Sequence, residues 1–359
     1  MKTVVHVIGA RPNYMKIAPL MEALNGSCRQ VLVNTGQHYD DSMARAFVRD
    51  LGLPAPNYDL GIGSASHAVQ TARVMIEFEQ VCLAEKPDIV VVVGDVNSTM
   101  AAALVAAKLV IPIAHVEAGL RSRDRAMPEE VNRIVTDRLS DVLLAPSSDA
   151  VDNLLAEGEP ASEVFLVGNI MIDSLLRHLP AARLERVADR IPVKPREYAV
   201  LTLHRPSNVD VPETLARILS AVTTIARDMS IVFPIHPRTQ QRIAGFGLAL
   251  PEGVIVTEPL GYVDFLSLTS NARIILTDSG GLQEESTALG IPCLTLRENT
   301  ERPVTVAEGT NQVVGTVTAD ILAGYSRALD GSLAPRRPAL WDGHTADRIA
   351  AVLNEVLSR

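Results

Sequence analysis

The sequence predicts an α/β protein built as two Rossmann-like, doubly wound domains that face each other across a cleft. Three observations carry that expectation. Short runs rich in Val and Ile, such as Val4–Ile8 and Ile89–Val93, lack the apolar–polar alternation of a half-exposed strand, as expected of a parallel sheet covered on both faces. Helical patterns separate these runs, and a β-α-β-α order implies right-handed crossovers. The pattern then starts again in the second half of a 359-residue chain, a length that suits about two domains.

In the first half, strands are expected at Val4–Ile8, Val31–Asn34, Ile89–Val93, Ile113–Val116 and Val142–Ala145, with helices at Met15–Leu24, Ser66–Glu85 and Thr99–Lys108. In the second half the strands fall at Tyr198–Leu203, Ile231–Ile235, Val254–Val256, Ile274–Thr277 and Cys293–Leu296. Helices near Val211–Asp228, Tyr262–Ser270 and Leu282–Leu289 separate them. The weakest joint is Gly168–Asp173, which predicts domains over residues 1–170 and 171–359. The last helix, Ala346–Leu357, can pack on either.

Composition narrows the function. The chain is 47% hydrophobic, 21% charged and 4% aromatic, ordinary for a globular α/β protein and unlike a disordered chain. A net charge of −9 argues against non-specific binding to nucleic acid or to an anionic membrane, so an anionic ligand needs a local cluster of cations. The apolar run Ala101–Ile113 holds Lys108 and Pro112 and is too short to span a bilayer. The N-terminus passes from Met-Lys into a strand without a signal core, so a cytoplasmic location is expected. Cys28, Cys82 and Cys293 lie far apart and fit reduced core thiols better than a disulfide framework or a metal site.

Chemistry gathers where ligands bind in such sheets, at the carboxyl ends of the strands. Gly9–Lys16 follows the first strand and is not the GxGxxG fingerprint, so no dinucleotide cofactor is expected. A capped turn with solvated charges would account for that loop alone. Gly94-Asp95 follows the most apolar run; His115–Ser122 ends the next strand, and Pro128 opens a helix carrying Glu129 and Glu130. Each acid has a bland explanation in capping or in the helix dipole. Together, three loops of one sheet each offer a carboxylate, and clustered carboxylates divide acid and base roles. The second half supplies the opposite charge. His204-Arg205 and His236-Pro237-Arg238 end two strands, Asp278-Ser279-Gly280-Gly281 leads into a helix whose N–H groups suit an anion, and Arg297–Pro303 adds charge. An acidic wall and an anion cradle together suit a phosphorylated, nucleotide-activated substrate.

In this order, Gly9–Lys16, Thr35-Gly36-Gln37-His38, Gly94-Asp95, His115–Ser122, Pro128–Arg133, His204-Arg205, Asp278–Glu285, Glu301-Arg302-Pro303 and Gly309–Asn311 resemble the non-hydrolysing UDP-N-acetylglucosamine 2-epimerases over nearly the whole chain. The resemblance implies the two-domain fold shared with glycosyltransferases of the B type. It implies reversible inversion at C2 of UDP-N-acetylglucosamine to UDP-N-acetylmannosamine, by elimination and re-addition of UDP through a 2-acetamidoglucal, with no cofactor and no metal. It makes Asp95, Glu117 and Glu129 the catalytic carboxylates, with His204 close to the leaving phosphate. Arg11 and Lys16 join the site; Ser279, Gly280 and Gly281 hold the diphosphate; Arg302 and Glu285 flank the nucleotide; Phe265 falls where uracil stacks. Gln37, His38, Arg205 and His236 match an allosteric site for a second UDP-sugar. The working form is expected to be a homodimer.

The chain departs from the family at Asn13 and Ser207, where many members have Glu, at Val96, where Thr is usual, and at Asp40, where allosteric members can have Gln. None of these removes a catalytic carboxylate. A glycosyltransferase on the same fold would share the nucleotide half but needs an acceptor groove and typically one base. A hydrolysing epimerase usually carries a kinase domain, and a pure nucleotide-sugar binder has no need of three carboxylates.

Overall fold

The computed structural model describes residues 1–36, 52–183, 187, 190–330 and 336–358. The first sheet comprises β1 (Thr3–Ile8), β2 (Arg29–Asn34), β3 (Tyr58–Asp59), β4 (Ile89–Val93), β5 (Ile113–Val116), β6 (Val142–Ala145) and β7 (Val164–Leu166), in the spatial order β3-β2-β1-β4-β5-β6-β7. The second comprises β8 (Tyr198–Thr202), β9 (Ser230–Pro234), β10 (Val254–Thr257), β11 (Ile274–Thr277), β12 (Cys293–Thr295) and β13 (Asn311–Val313), in the order β10-β9-β8-β11-β12-β13. Neighbouring strands run parallel in both. Each order reverses direction once, between β1 and β4 and between β8 and β11. Such switch points open a crevice beyond the carboxyl ends of the two strands.

The missing alternation has a direct cause in β8. Ala199 and Leu201 pack with Leu215, Ile218 and Val222 of the helix Pro212–Ile225, while Tyr198 and Val200 pack on the other side with Leu268, Ile275 and Leu282. In the first sheet Val5, Val7, Val31, Val33, Val90 and Val92 meet Phe78, Val81 and Ala102 from two helices, and the alternate residues Val4, Ile8 and Val91 are also fully buried. All three cysteines are buried and free. Burial also pushes His6 of β1 down to about 4, so the ring stays neutral with Gln30 as its partner.

The chain forms two compact units, Met1–Ser174 with Ala339–Arg359, and Leu175–Pro338. The final helix, Thr345–Ser358, therefore belongs to the first unit. Trp341 is buried with its indole N–H on the Pro146 carbonyl at 3.1 Å, Asp173 Oδ2 accepts the Ala346 N–H at 2.7 Å, and Gly168 at φ +94° passes so close to the Leu340 carbonyl that a Cβ would collide with it. Three short strands, β3, β7 and β13, extend the sheets beyond the strands expected from the sequence. Among the described residues no helix is long and apolar enough to cross a membrane.

Candidate active site

In the first unit, what reads as a loop after β1 is the opening of a helix, Arg11–Ala23, with Pro12 in its first turn. Asn13 turns its amide oxygen back to the N–H groups of Gly9 (3.1 Å) and Ala10 (2.9 Å) and donates to the Val93 carbonyl at 3.1 Å, tying β1 to β4 at the switch point. One turn on, the buried Lys16 pairs with the buried Glu117. Gly94 needs its φ of +69°, and a Cβ there would stand 3.1 Å from Lys16 Nζ and 3.4 Å from Glu117 Oε2. Glu117 itself sits at φ +76°, a conformation costly for a side-chain-bearing residue and typical of functional loops.

Asp95, the next residue after Gly94, receives Arg133 Nη2 at 2.5 Å, and its carbonyl accepts from Asn132 at 2.8 Å. Arg133 also holds Glu130 at 2.9 Å. Burial opposes the Glu130 charge, but the N–H groups of Ser122 and Arg123 (2.8 Å each) and Arg133 outweigh it and hold the carboxyl below the usual range. Glu129 is half-buried in the first turn of the same helix, Pro128–Leu139. The structure thus brings Lys16 and Glu117 into direct contact beside Gly94 at one switch point, with Asp95 the next residue and Glu129 on the helix whose Arg133 holds Asp95. Arg11 opens the helix Arg11–Ala23, on which Lys16 also stands.

The second unit repeats the arrangement with different chemistry. His204 follows β8, and its Nδ1 stands 2.8 Å from Oδ1 of the fully buried Asp278, which follows β11. Burial works against the Asp278 charge, yet the His204 ring and the N–H groups of His204 and Arg205 hold its carboxyl below the usual range. Ser279 caps the helix Gly280–Leu289 from an extended conformation; Gly281 has open space where a Cβ would project, whereas Gly280 is pressed against the Arg302 guanidinium. Arg302 is flanked by Glu284 at 2.9 Å and Glu301 at 3.0 Å. Arg205 lies 3.4 Å from Glu301. Burial and then the neighbouring Glu284 push Glu285 up to about 8, against the Tyr262 hydroxyl, so a neutral carboxyl dominates at pH 7. Phe265 is half-buried against the Tyr198–Leu268 cluster. His236 is exposed and caps the helix Pro237–Gly245 by accepting the Arg238 N–H at 3.2 Å. Gln37, His38 and Asp40 lie outside the described residues.

Of four residues that organise these sites, Asp278, His115 and Arg133 stand in the sequence motifs without an assigned role, and Asp137 lies outside them. A signal for two of them exists. The inward stripe of helix Pro128–Leu139 runs Glu130, Arg133, Asp137, a charged face at helical spacing where a core-facing helix would carry aliphatics.

The family model described as UDP-N-acetylglucosamine 2-epimerase matches residues 22–354. The chain is 43% identical over 357 residues to UDP-N-acetylglucosamine 2-epimerase of Methanocaldococcus jannaschii, covering 97% of each. It is similar to the crystal structure of the M. jannaschii epimerase in complex with UDP-GlcNAc and UDP, with a TM-score of 0.90 over 99% of this chain and 100% of that one, at 43% identity. It is also 39% identical over 356 residues, 98% of this chain and 99% of the relative, to UDP-2,3-diacetamido-2,3-dideoxy-D-glucuronate 2-epimerase of Pseudomonas aeruginosa. A spinosyn rhamnosyltransferase, at 14% identity and a TM-score of 0.53 over the full length of both chains, shares the fold alone. The chain belongs to the UDP-N-acetylglucosamine 2-epimerase family.

Proposed function

We propose that this protein interconverts UDP-N-acetylglucosamine and UDP-N-acetylmannosamine by elimination and re-addition of UDP. The C2 proton is not alpha to a carbonyl, so simple deprotonation is unrealistic; loss of UDP from C1 as the proton leaves C2 gives a neutral 2-acetamidoglucal instead. Returning a proton to the opposite face of C2 while UDP re-forms the C1–O bond inverts the centre. This requires carboxylates for the proton and for positive charge at C1, and cations with N–H donors for the diphosphate. Asp95, Glu117 and Glu129 of the first unit suit the first task, with Lys16 paired to Glu117 and Arg133 to Asp95. His204, Arg302 and the open N-terminus of helix Gly280–Leu289 suit the second, and Glu285 with Phe265 suits the nucleoside. The observation that carries the reading is the pairing of Lys16 with Glu117 beside Gly94 and Asp95, an acid cluster at the β1/β4 switch point.

The relative acting on a diacetamido-glucuronate at similar identity favours a second reading, in which the sugar is a related UDP-N-acetyl sugar. Incubation of each UDP-sugar in deuterated water, read by proton NMR, decides between them. Deuterium at C2 of both epimers without added NAD supports elimination; epimerisation that requires NAD, or label elsewhere, overturns it. Arg205 and His236 suit a second UDP-sugar; rates sigmoidal in UDP-N-acetylglucosamine, and a reverse reaction from UDP-N-acetylmannosamine that starts only once UDP-N-acetylglucosamine is added, are the expected signs. Val69, Ile76 and Leu83, exposed at heptad spacing on the helix His67–Glu85, suit a homodimer contact, which sedimentation tests.

A further inference from the structure

Behind the carboxylate loops of the first unit lies a buried polar pair that the reaction itself does not use. His115 on β5 is wholly buried among Ile113, Ala114 and Val116. Its Nδ1 is 2.6 Å from Asp137 Oδ1 and its Nε2 is 2.8 Å from the Gly94 carbonyl oxygen. The Gly94 carbonyl can only accept, so Nε2 donates to it, and Nδ1 faces the Asp137 carboxylate. A buried imidazole is costly unless both bonds are made, and an aliphatic side chain would fill this strand position more cheaply.

What the ring joins is specific. Gly94 is gripped twice by β5: its N–H donates to the Val116 carbonyl at 3.0 Å, and its own carbonyl accepts from His115. Gly94 precedes Asp95, and His115 stands two residues before Glu117. Both loops turn through left-handed backbone, Gly94 at +69° and Glu117 at +76°; glycine takes this conformation freely, but Glu117 does not hold it by local preference. The far oxygen of Asp137 accepts the Gly119 N–H at 3.1 Å and Arg121 at 2.7 Å, and Arg121 continues to Glu157 through two bonds of 2.9 and 2.7 Å. The loop after Glu117 is therefore fixed from the same carboxylate.

We infer that His115 is a positioning residue, whose ring, held by Asp137, sets the spacing between the loop carrying Asp95 and the loop carrying Glu117. The inference rests on the reading of Asp95 and Glu117 as catalytic carboxylates. A ring with two opposed nitrogens spans this gap; a shorter amide reaches one side only and lets the two carboxylates drift apart.

A mutant cycle tests this on the full chain. His115→Asn is expected to lower kcat about 10²-fold, the usual result of a misplacement near 1 Å, while UDP affinity by calorimetry and KM change by less than about threefold. In an Asp95→Asn background the same substitution is expected to cost little more, because the group it positions is already disabled. A kcat near wild type in His115→Asn, or the full loss repeated in the Asp95→Asn background, overturns the inference, as does UDP affinity falling in step with kcat. If His115→Asn does not fold, Asp137→Asn, which preserves shape, runs the same cycle. An Asp95→Asn enzyme with the wild-type rate overturns the carboxylate reading itself. A slow Asp95→Asn beside an unaffected His115→Asn overturns the positioning role alone.

Discussion

Asp278 fixes His204 from both ends: its carboxylate accepts the His204 backbone N–H at 3.0 Å and lies 2.8 Å from the ring Nδ1. The imidazole is thereby anchored by one nitrogen, leaving the other for a ligand. Asp278→Asn keeps the shape but removes the charge, and turnover is expected to fall by about 10²-fold from the misaligned ring. Asp278 is held below its ordinary range, so its contribution to stability is present above the unfolded carboxylate value and lost as pH falls through the lower folded one. Thermal melts should therefore show the Asp278→Asn deficit at neutral pH and see it shrink toward pH values of about 3.

The three carboxylates of the first unit can be separated from the nucleotide site by isosteric amides. Asp95→Asn, Glu117→Gln and Glu129→Gln are each expected to reduce kcat by roughly 10²–10⁴-fold, the range for proton-transfer groups. UDP binding should survive in all three. Near wild-type rates throughout would dismiss the assignment.

Lys16 and Glu117 form a buried pair, and removing one partner leaves the other's buried charge less compensated. Lys16→Met is expected to destabilise the first unit by about 3–5 kcal/mol. Lys16→Met with Glu117→Gln should recover much of that loss in a chemical denaturation series, without recovering activity.

Arg302 touches two buried acids as well as Gly280. Arg302→Ala is expected to weaken UDP binding by about 1.5–3 kcal/mol, the scale of a charged hydrogen bond. Ser279→Ala should lose less, since the N–H groups of the helix start remain. Calorimetric affinities unchanged in both would move the diphosphate elsewhere.

Glu285 gives a pH signature. Its folded value of about 8 lies above the unfolded one, so the folded state binds the extra proton between the two. Its contribution to stability is complete below the unfolded value and fades as pH rises through about 8. Glu285→Gln stays neutral throughout, so its melting temperature should vary less between about pH 5 and pH 8 than that of the wild type.

The strands with long Val and Ile runs were legible because burial on both faces leaves a compositional mark. β3 and β13 were not, since two or three residues at a sheet edge carry no periodic signal. The first turns of helices Arg11–Ala23 and Gly280–Leu289 read as loops because Pro12, Gly280 and Gly281 are loop formers by composition. Acids next to strand ends were visible as candidates. Asp278 was seen only as part of a turn, because its work depends on β8 and β11 lying side by side, a relation between segments far apart in sequence. The pairing of His115 with Asp137 is hidden for the same reason: neither residue type nor spacing tells which carbonyl a buried ring will find.

The first unit is closed by the last stretch of the chain, with Trp341, Ala346 and the helix Thr345–Ser358 seated on residues near Pro146, Gly168 and Asp173. During synthesis at about 5–20 residues per second, every residue of the later unit has emerged before the earlier one can be finished. The ribosome thus inverts the written order: Leu175–Pro338 is able to mature first, and the acidic half waits, unsealed, until the helix Thr345–Ser358 has emerged.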